Sequence, residues 1–248
     1  MIPALAPLFT GPLQPFASVL RLHAEEAAVM PLGRLLEEGL PELLEGYGGD
    51  PGLDRRALLS VWSKYYFSRL IPPVVAASLL LRWRLPIAVD QLGLVLNEAR
   101  LPAAFVLPHG GEAFADDHSD LLEPLVRENL RPFIEGACAQ IRLSPKVLWS
   151  NAGNYLEWFA GELRKVRPQP GSLPPFEHWL EQPCDAQGGR NPLFKPVIYV
   201  ELPLAGGVEG TSWQWRQRRV CCIRYRLPEE ELCSNCPLLK DPQPTAAG

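Results

Sequence analysis

The sequence predicts an α+β fold: one helix-rich domain with a small antiparallel sheet and a C-terminal segment that carries four cysteines. Three observations lead to this prediction. Apolar residues recur at helical spacing over much of the chain, two short apolar runs flank a polar turn near residue 97, and four of the six cysteines lie within residues 221–236. With 248 residues, 47% of them hydrophobic, the chain is long enough to bury a single core.

Helices are predicted first in the N-terminal half. Residues 31–44 carry a leucine stripe at helical spacing, which turn residues end. A second helix begins near Asp54, and we expect Pro72 and Pro73 to end it, because proline lacks the amide hydrogen and fixes the backbone. A third helix, residues 74–83, follows directly.

The middle of the chain changes its period. Two apolar runs, residues 92–96 and 103–107, predict a β-hairpin. Beyond the hairpin, Ser119 caps a helix that buries an apolar face. The remaining predicted elements are the longest helix, from Ser144 and Pro145 to residue 166, a short helix at residues 176–180 and a strand at residues 197–202.

All of these elements are expected to form one domain. Residues 1–212 are its body, residues 213–240 are a cysteine-bearing segment of the same domain, and residues 241–248 are a flexible tail.

Charge and hydropathy exclude some classes of protein. The net charge of -4 argues against general nucleic-acid binding. Residues 1–22 are broken by prolines and predict no secretion signal, and the longest apolar run, residues 71–81, is shorter than the ~20 residues of a membrane helix. We therefore expect a cytoplasmic protein, with its thiols reduced, and leave open a peripheral association with the inner face of the cytoplasmic membrane.

The spacing of the cysteines indicates a metal centre. Cys233 and Cys236 form a Cys-x-x-Cys turn, which can aim two sulfurs at one metal. Cys221 and Cys222 are adjacent, so the backbone must bend if both are to reach the same centre. Because a zinc ribbon repeats the Cys-x-x-Cys spacing in both arms, this pattern favours an iron-sulfur cluster and leaves structural zinc as the alternative.

Arginines are concentrated around these cysteines. They either form a solvated strand face, or stabilise an anionic cluster and attract an anionic substrate. The candidate substrate-binding residues are Arg218, Arg219, Arg224 and Arg226.

The segment "RRVCCIRYRLPEEELCSNCP", residues 218–237, resembles the C-terminal signature of the FhuF-like ferric-siderophore reductases. The stretches "LWSNAGNYLEWF", "NPLFKPVIYV" and "WSKYYFSRLIPP" extend the resemblance upstream to about residue 54. The resemblance implies an iron-sulfur oxidoreductase that reduces siderophore-bound Fe(III) and releases iron in the cytosol. It implies a [2Fe-2S] cluster with no catalytic residue beyond it, and the implied ligands are Cys221, Cys222, Cys233 and Cys236.

This hypothesis needs a ferric siderophore as substrate and an electron donor such as a ferredoxin or a flavin reductase. The alternative hypothesis is a non-enzymatic protein, either zinc-stabilised or a siderophore-binding module related to the FhuF-like C-terminal domain of siderophore synthetases. Cys138 is expected to be a buried, inert thiol, and Cys184 has no partner by spacing. The run "DDHSD", residues 116–120, is interpreted as helix capping rather than a metal site.

Overall fold

Short sheets surround a helical core in this protein. The computed structural model describes residues 2–23, 28–116, 120–167, 169, 171, 173–203 and 212–243. The helices are α1 (Leu32–Arg34), α2 (Leu40–Gly48), α3 (Arg55–Leu81), α4 (Arg131–Ile141), α5 (Pro145–Val166) and α6 (His178–Glu181). The strands are β1 (Leu20–Arg21), β2 (Val29–Pro31), β3 (Trp83–Arg84), β4 (Gly93–Leu96), β5 (Pro102–Val106), β6 (Glu112–Ala113), β7 (Val197–Pro203) and β8 (Ser212–Arg218). The α+β prediction is confirmed.

Wider or tighter helical turns extend these elements. A π-type turn at Leu35–Gly39 joins α1 to α2, so the predicted helix at residues 31–44 is one continuous helical segment. A second π-type turn, Leu125–Leu130, leads into α4. Short 3₁₀ helices occupy Pro3–Leu8, Gly11–Phe16 and Arg224–Arg226.

The central helix α3 corrects one prediction. Its start is as expected, since the Asp54 side chain accepts a hydrogen bond from the Arg56 amide. The expected break at Pro72 and Pro73 is wrong, because α3 continues through both prolines to Leu81 and is longer than α5. Both prolines are buried, and the packing gained by a helix buried on nearly all sides outweighs the backbone hydrogen bonds that they remove.

Two sheets position the ends of the chain. The predicted hairpin is confirmed as β4 and β5, which pair antiparallel with Leu94 opposite Phe105. β1 adds to β5 in parallel and β2 adds to β4 antiparallel, giving the strand order β1-β5-β4-β2. The predicted strand at residues 197–202 is β7, and it forms an antiparallel ribbon with β8 that delivers the chain to the cysteines.

The core lies where α3 meets α4 and α5. The Tyr66 ring stacks on Phe133 with 4.0 Å between ring centroids, and the Tyr66 hydroxyl donates to the buried Asn129 at 2.9 Å. Cys138 of α4 is 6% exposed, which confirms the prediction of a buried thiol, and burial raises its pKa to about 12.

Two sequence predictions fall on residues outside the described part of the chain. The capping residue Ser119 and His118 lie outside the described residues, and so do residues 244–248 of the predicted tail. Among the described residues, no helix combines the length and the apolar character needed to cross a membrane.

Candidate metal centre

The backbone path after β8 brings the four cysteines together. β8 ends at Arg218, and the Arg218 amide donates to the Asn235 carbonyl at 2.9 Å, which fixes the second cysteine pair beside the first. Ile223 then adopts a left-handed backbone with φ 54°, which turns the chain immediately after the adjacent cysteines. A turn closed by the Cys236 amide on the Cys233 carbonyl, at 2.9 Å, holds the Cys-x-x-Cys arm.

The four sulfurs form two close pairs that cross between the arms. The Sγ atoms of Cys221 and Cys236 are 3.9 Å apart, and those of Cys222 and Cys233 are 3.4 Å apart. Two thiolates on one tetrahedral metal, with metal–sulfur bonds of about 2.3 Å, lie about 3.8 Å apart. Among the described residues, no group of three or more His, Cys, Asp or Glu side chains is arranged around one metal ion. The pairing therefore suits two metal atoms with two thiolates each.

Buried polar side chains of α3 and α5 fix this segment to the body. The Ser60 hydroxyl donates to the Cys222 carbonyl at 2.6 Å, and the Ser150 hydroxyl donates to the Val220 carbonyl at 3.2 Å. Asn151, fully buried, donates through Nδ2 to the Ser60 carbonyl at 2.9 Å and to the Ser63 hydroxyl at 3.0 Å. Asn151 is therefore a buried polar anchor between α5 and α3.

Positive charge lies near the sulfurs, and Arg218, which shares a cleft with Cys233, is buried. Arg218 is 3% exposed and donates to Asn151 and Ser150, and it has no carboxylate partner among the described residues. The Lys64 Nζ atom lies 3.3 Å from the Cys233 Sγ atom. The buried Nε atoms of Arg218 and Arg224 have no hydrogen-bond partner within the described part of the chain. Because a buried cation is costly without a counter-charge, Arg218 fits an anionic ligand at the cysteines.

The surroundings of the cysteines shift the pKa values of their thiols. A hydrogen bond from the Cys233 thiol, helped by the Lys64 charge, lowers the pKa of Cys222, and the same interaction raises the pKa of Cys233. Burial raises the pKa of Cys221 to about 11. Cys222 and Cys236 are each 2% exposed, whereas Cys221 and Cys233 are partly exposed. The centre is therefore shielded on one side and open on the other.

A cleft of about 340 Å³ opens on the Cys233 side of the centre. Lys64, Arg218 and Arg224 contribute its positive charge, and Tyr65 and Tyr155 contribute rings. Arg224 pairs with Glu230, which also lines this cleft.

The predicted substrate arginines do not all lie on one surface. Arg218 and Arg224 line the cleft beside Cys233, and Arg219 lies on another face, where its guanidinium is 6.0 Å from the centroid of the Phe194 ring. Arg226 pairs with Asp54 at 2.9 Å. Exposed Cys184 lies apart from the four cysteines, in a turn that bridges to Arg190.

Sequence reasoning missed Lys64, Ser60 and Ser150. Lys64 is 169 residues from the sulfur that it contacts, and no spacing rule connects the two. The only signal was its place within "WSKYYFSRLIPP", one of the stretches that carry the family resemblance. Lys146, Arg190 and Lys195, which share a groove with Arg219, were missed for the same reason.

The donor set decides the chemical class. Four soft thiolates, in two pairs beside buried cations and on an α+β scaffold, fit a [2Fe-2S] cluster. The fold and the centre together define an iron-sulfur protein.

Comparison with known proteins identifies the family. Residues 60–203 match the family described as ferric iron reductase FhuF-like transporter, and residues 218–238 match the FhuF 2Fe-2S C-terminal domain. The chain belongs to the FhuF family, and its cofactor is a [2Fe-2S] cluster. The resemblance inferred from the sequence is confirmed.

Two similar proteins accompany this assignment. The chain is 25% identical over 188 residues to the ferric siderophore reductase of Escherichia coli strain K12, covering 75% of this chain and 67% of that protein. The solved structure of aerobactin synthetase IucA, from a hypervirulent pathotype of Klebsiella pneumoniae, matches with a TM-score of 0.53 and 13% identity. This match covers 68% of this chain and 38% of the synthetase chain, and it supports the fold.

Proposed function

We propose that the protein is a ferric-siderophore reductase, which converts siderophore-bound Fe(III) to Fe(II) and so releases iron in the cytosol. The observation that carries the proposal is the crossed pairing of four sulfurs against a buried, uncompensated Arg218. The family and the similarity to a ferric siderophore reductase support it. The proposed cluster ligands are Cys221, Cys222, Cys233 and Cys236.

The side chains around the centre have separable roles. When bound, the [2Fe-2S] cluster supplies one-electron transfer. Lys64 and Arg218 place positive charge beside the sulfurs, which favours the more negative, reduced state. Val220 and Ile223, on either side of Cys221 and Cys222, pack against the apolar core. Ser60 and Ser150 hold the backbone of the first arm in place.

The chemistry needs no general base and no nucleophile from the protein. Siderophores hold Fe(III) through hard oxygen donors, and one added electron weakens that match between metal and ligand. The electron comes from a donor protein of the ferredoxin or flavin reductase class. We place the reaction in the cytoplasm, where the inner face of the cytoplasmic membrane is accessible to the protein.

Cysteine substitutions test the ligand assignment. Anaerobically purified protein is expected to be brown and silent in electron paramagnetic resonance, and to give a one-electron cluster signal after dithionite. Cys222→Ser and Cys236→Ser should abolish the colour and the signal, because each removes one of four thiolates. Cys184→Ser is the matched control and should leave both unchanged, since Cys184 is exposed and is not one of the four clustered sulfurs. A colourless protein with one bound zinc ion would contradict the cluster and favour the structural alternative.

Reoxidation tests the reductase activity itself. Holo-protein reduced by dithionite and then desalted should be reoxidised by a ferric siderophore, with Fe(II) trapped by a coloured chelator in a ratio of one iron per cluster electron. If no ferric siderophore of any charge reoxidises the reduced protein, the proposed reaction is rejected, but the cluster assignment still stands.

A further inference from the structure

A second, larger concavity is lined by Arg219 and Val220, the two residues that precede Cys221. Its volume is about 680 Å³, within the range of 300–1,000 Å³ that is typical of small-molecule sites. The start of α5 forms one wall and the segment between α6 and β7 forms the other. We call it the basic groove, after the residues Lys146, Arg190, Lys195 and Arg219 that line it.

The charge of the basic groove is of one sign. Among the described residues that line it, none is Asp or Glu. Its four cations have no carboxylate partner in the described part of the chain, whereas Arg34, Arg56, Arg84 and Arg164 on other surfaces are each paired with one. Cations that face one cavity without acidic neighbours produce a positive potential there, and this potential attracts an anion.

The floor of the basic groove is aromatic. Trp149 is buried at 7% exposure, and Phe194 is partly exposed. The Lys195 ammonium is 5.5 Å from the centroid of the Phe194 ring, and the Arg219 guanidinium is 6.0 Å from it. Ring faces below a set of cations suit a ligand that joins an organic frame to negative charge.

The wall that carries Lys195 is held rigidly. Buried Asn191 donates to the Trp179 carbonyl at 2.9 Å and to the Gln182 carbonyl at 2.8 Å, and it accepts from the Leu193 amide at 2.9 Å. Lys195 has a left-handed backbone with φ 44°, a conformation that is unfavourable for a non-glycine residue. The fold thus keeps this side chain at the groove edge against a local preference.

The basic groove ends one residue along the chain from the metal centre. Val220, which lines the groove, is bonded directly to Cys221, and consecutive Cα atoms are about 3.8 Å apart. Ser150 lines the groove as well and donates to the Val220 carbonyl. A ligand in the groove therefore lies beside the residue that precedes the partly exposed Cys221.

We propose that the basic groove is the docking site for the ferric siderophore and that it selects complexes of net negative charge; the inference rests on the proposed function. The concave shape and the aromatic floor favour a small complex over the flatter patch that an acidic donor protein would cover. Of the four arginines predicted from the sequence to bind substrate, Arg219 is then the one that takes part in docking. Lys146, Arg190 and Lys195, which were not predicted, act with it.

The test measures binding without electron transfer. Gallium(III) tris-catecholate has the charge of the ferric complex and is not reduced, and its binding to oxidised holo-protein is followed by calorimetry and by tryptophan fluorescence. Lys146→Glu combined with Lys195→Glu should weaken this binding at least on the order of tenfold, and the affinity should fall as salt rises. A neutral gallium tris-hydroxamate should bind more weakly to the native protein and respond little to the substitutions.

A matched pair of charge reversals at exposed basic residues is the control. Arg34→Glu combined with Lys165→Glu changes the net charge equally on other surfaces and should leave binding unchanged. The inference is overturned if the native protein does not bind the gallium complex, or if both double variants bind it equally. It is also overturned if the Lys146 and Lys195 variant binds normally but accepts electrons slowly from a donor protein, since the groove would then dock the donor. None of these three results affects the reoxidation test of the reductase.

Discussion

At the scale of single residues, Arg218 carries the strongest constraint on the centre. It is 3% exposed and directly precedes the cysteine segment, and its neighbours are the neutral side chains of Asn151 and Ser150. A buried guanidinium without a counter-charge is unfavourable, so a net negative cluster at the cysteines makes this arrangement stable. Arg218 and the cluster are therefore expected to stabilise each other.

Replacing this arginine tests the coupling. Arg218→Met should lower the reduction potential of the cluster and speed its loss, because the cation that favours the reduced state is gone. Potentiometric titration and the decay of visible absorbance measure the two effects. Arg219→Met is the control, since the neighbouring arginine is exposed and its charge is screened by solvent, and it should change either quantity much less. Equal effects of the two variants would contradict the assigned role of Arg218.

The sequence predicted the cysteine centre but not its surroundings, for a physical reason. Ligand spacing is local, so Cys221, Cys222, Cys233 and Cys236 could be recognised within sixteen consecutive residues. Lys64 and the walls of the basic groove come from helices and loops far away along the chain, and only the packing of α3 on α5 and β7 on β8 brings them to the centre.

At the scale of elements, the helices and strands with their own local signals were predictable. The hairpin, α5 and β7 formed as their patterns indicated. α3 did not, because the local rule for Pro72 and Pro73 was outweighed by burial of the whole helix. Contacts between elements could not be predicted from any local sequence pattern. The clearest example is the contact between α5 and the segment before β7, which approach closely because α5 has a glycine at position 153.

Substitutions at two glycines of α5 distinguish the effect of close packing on stability from the effect of helix propensity. A Cβ atom at Gly153 would lie 2.6 Å from the Pro196 Cβ atom, so Gly153→Ala should push the groove wall away and destabilise the protein by about 1–3 kcal/mol. A Cβ atom at Gly161 meets nothing within 4 Å, so Gly161→Ala should stabilise the same helix by up to about 1 kcal/mol. Denaturant unfolding of both variants measures the difference. Opposite signs are expected, and a stabilising Gly153→Ala would show that this contact does not limit the packing.

At the scale of the whole molecule, the C-terminal segment is tied into the body rather than appended to it. β8 pairs along its length with β7, Ser60 of α3 holds the Cys222 carbonyl, and the Trp215 indole donates to the Ser234 carbonyl at 3.0 Å. Ser60 is in turn held by Asn151 of α5. We therefore propose that residues 1–212 and 213–240 unfold as one cooperative unit, with the cluster stabilising both.

Removal of the cluster tests this unity. A ligand that binds only the folded state stabilises it, so holo-protein should melt at a higher temperature than apo-protein prepared with a chelator under reducing conditions. In holo-protein, the loss of visible cluster absorbance and the loss of helical circular dichroism should share one midpoint, because Ser60, Asn151 and the cysteine segment form one buried network. If the cluster absorbance is lost well below the temperature at which the helices melt, the C-terminal segment unfolds as a separate unit.

Replacing Ser60 provides a second test. If the molecule unfolds as one unit, Ser60→Ala should accelerate cluster loss, because it frees the Cys222 carbonyl. If the segment is a separate unit, the substitution should have no effect on cluster retention.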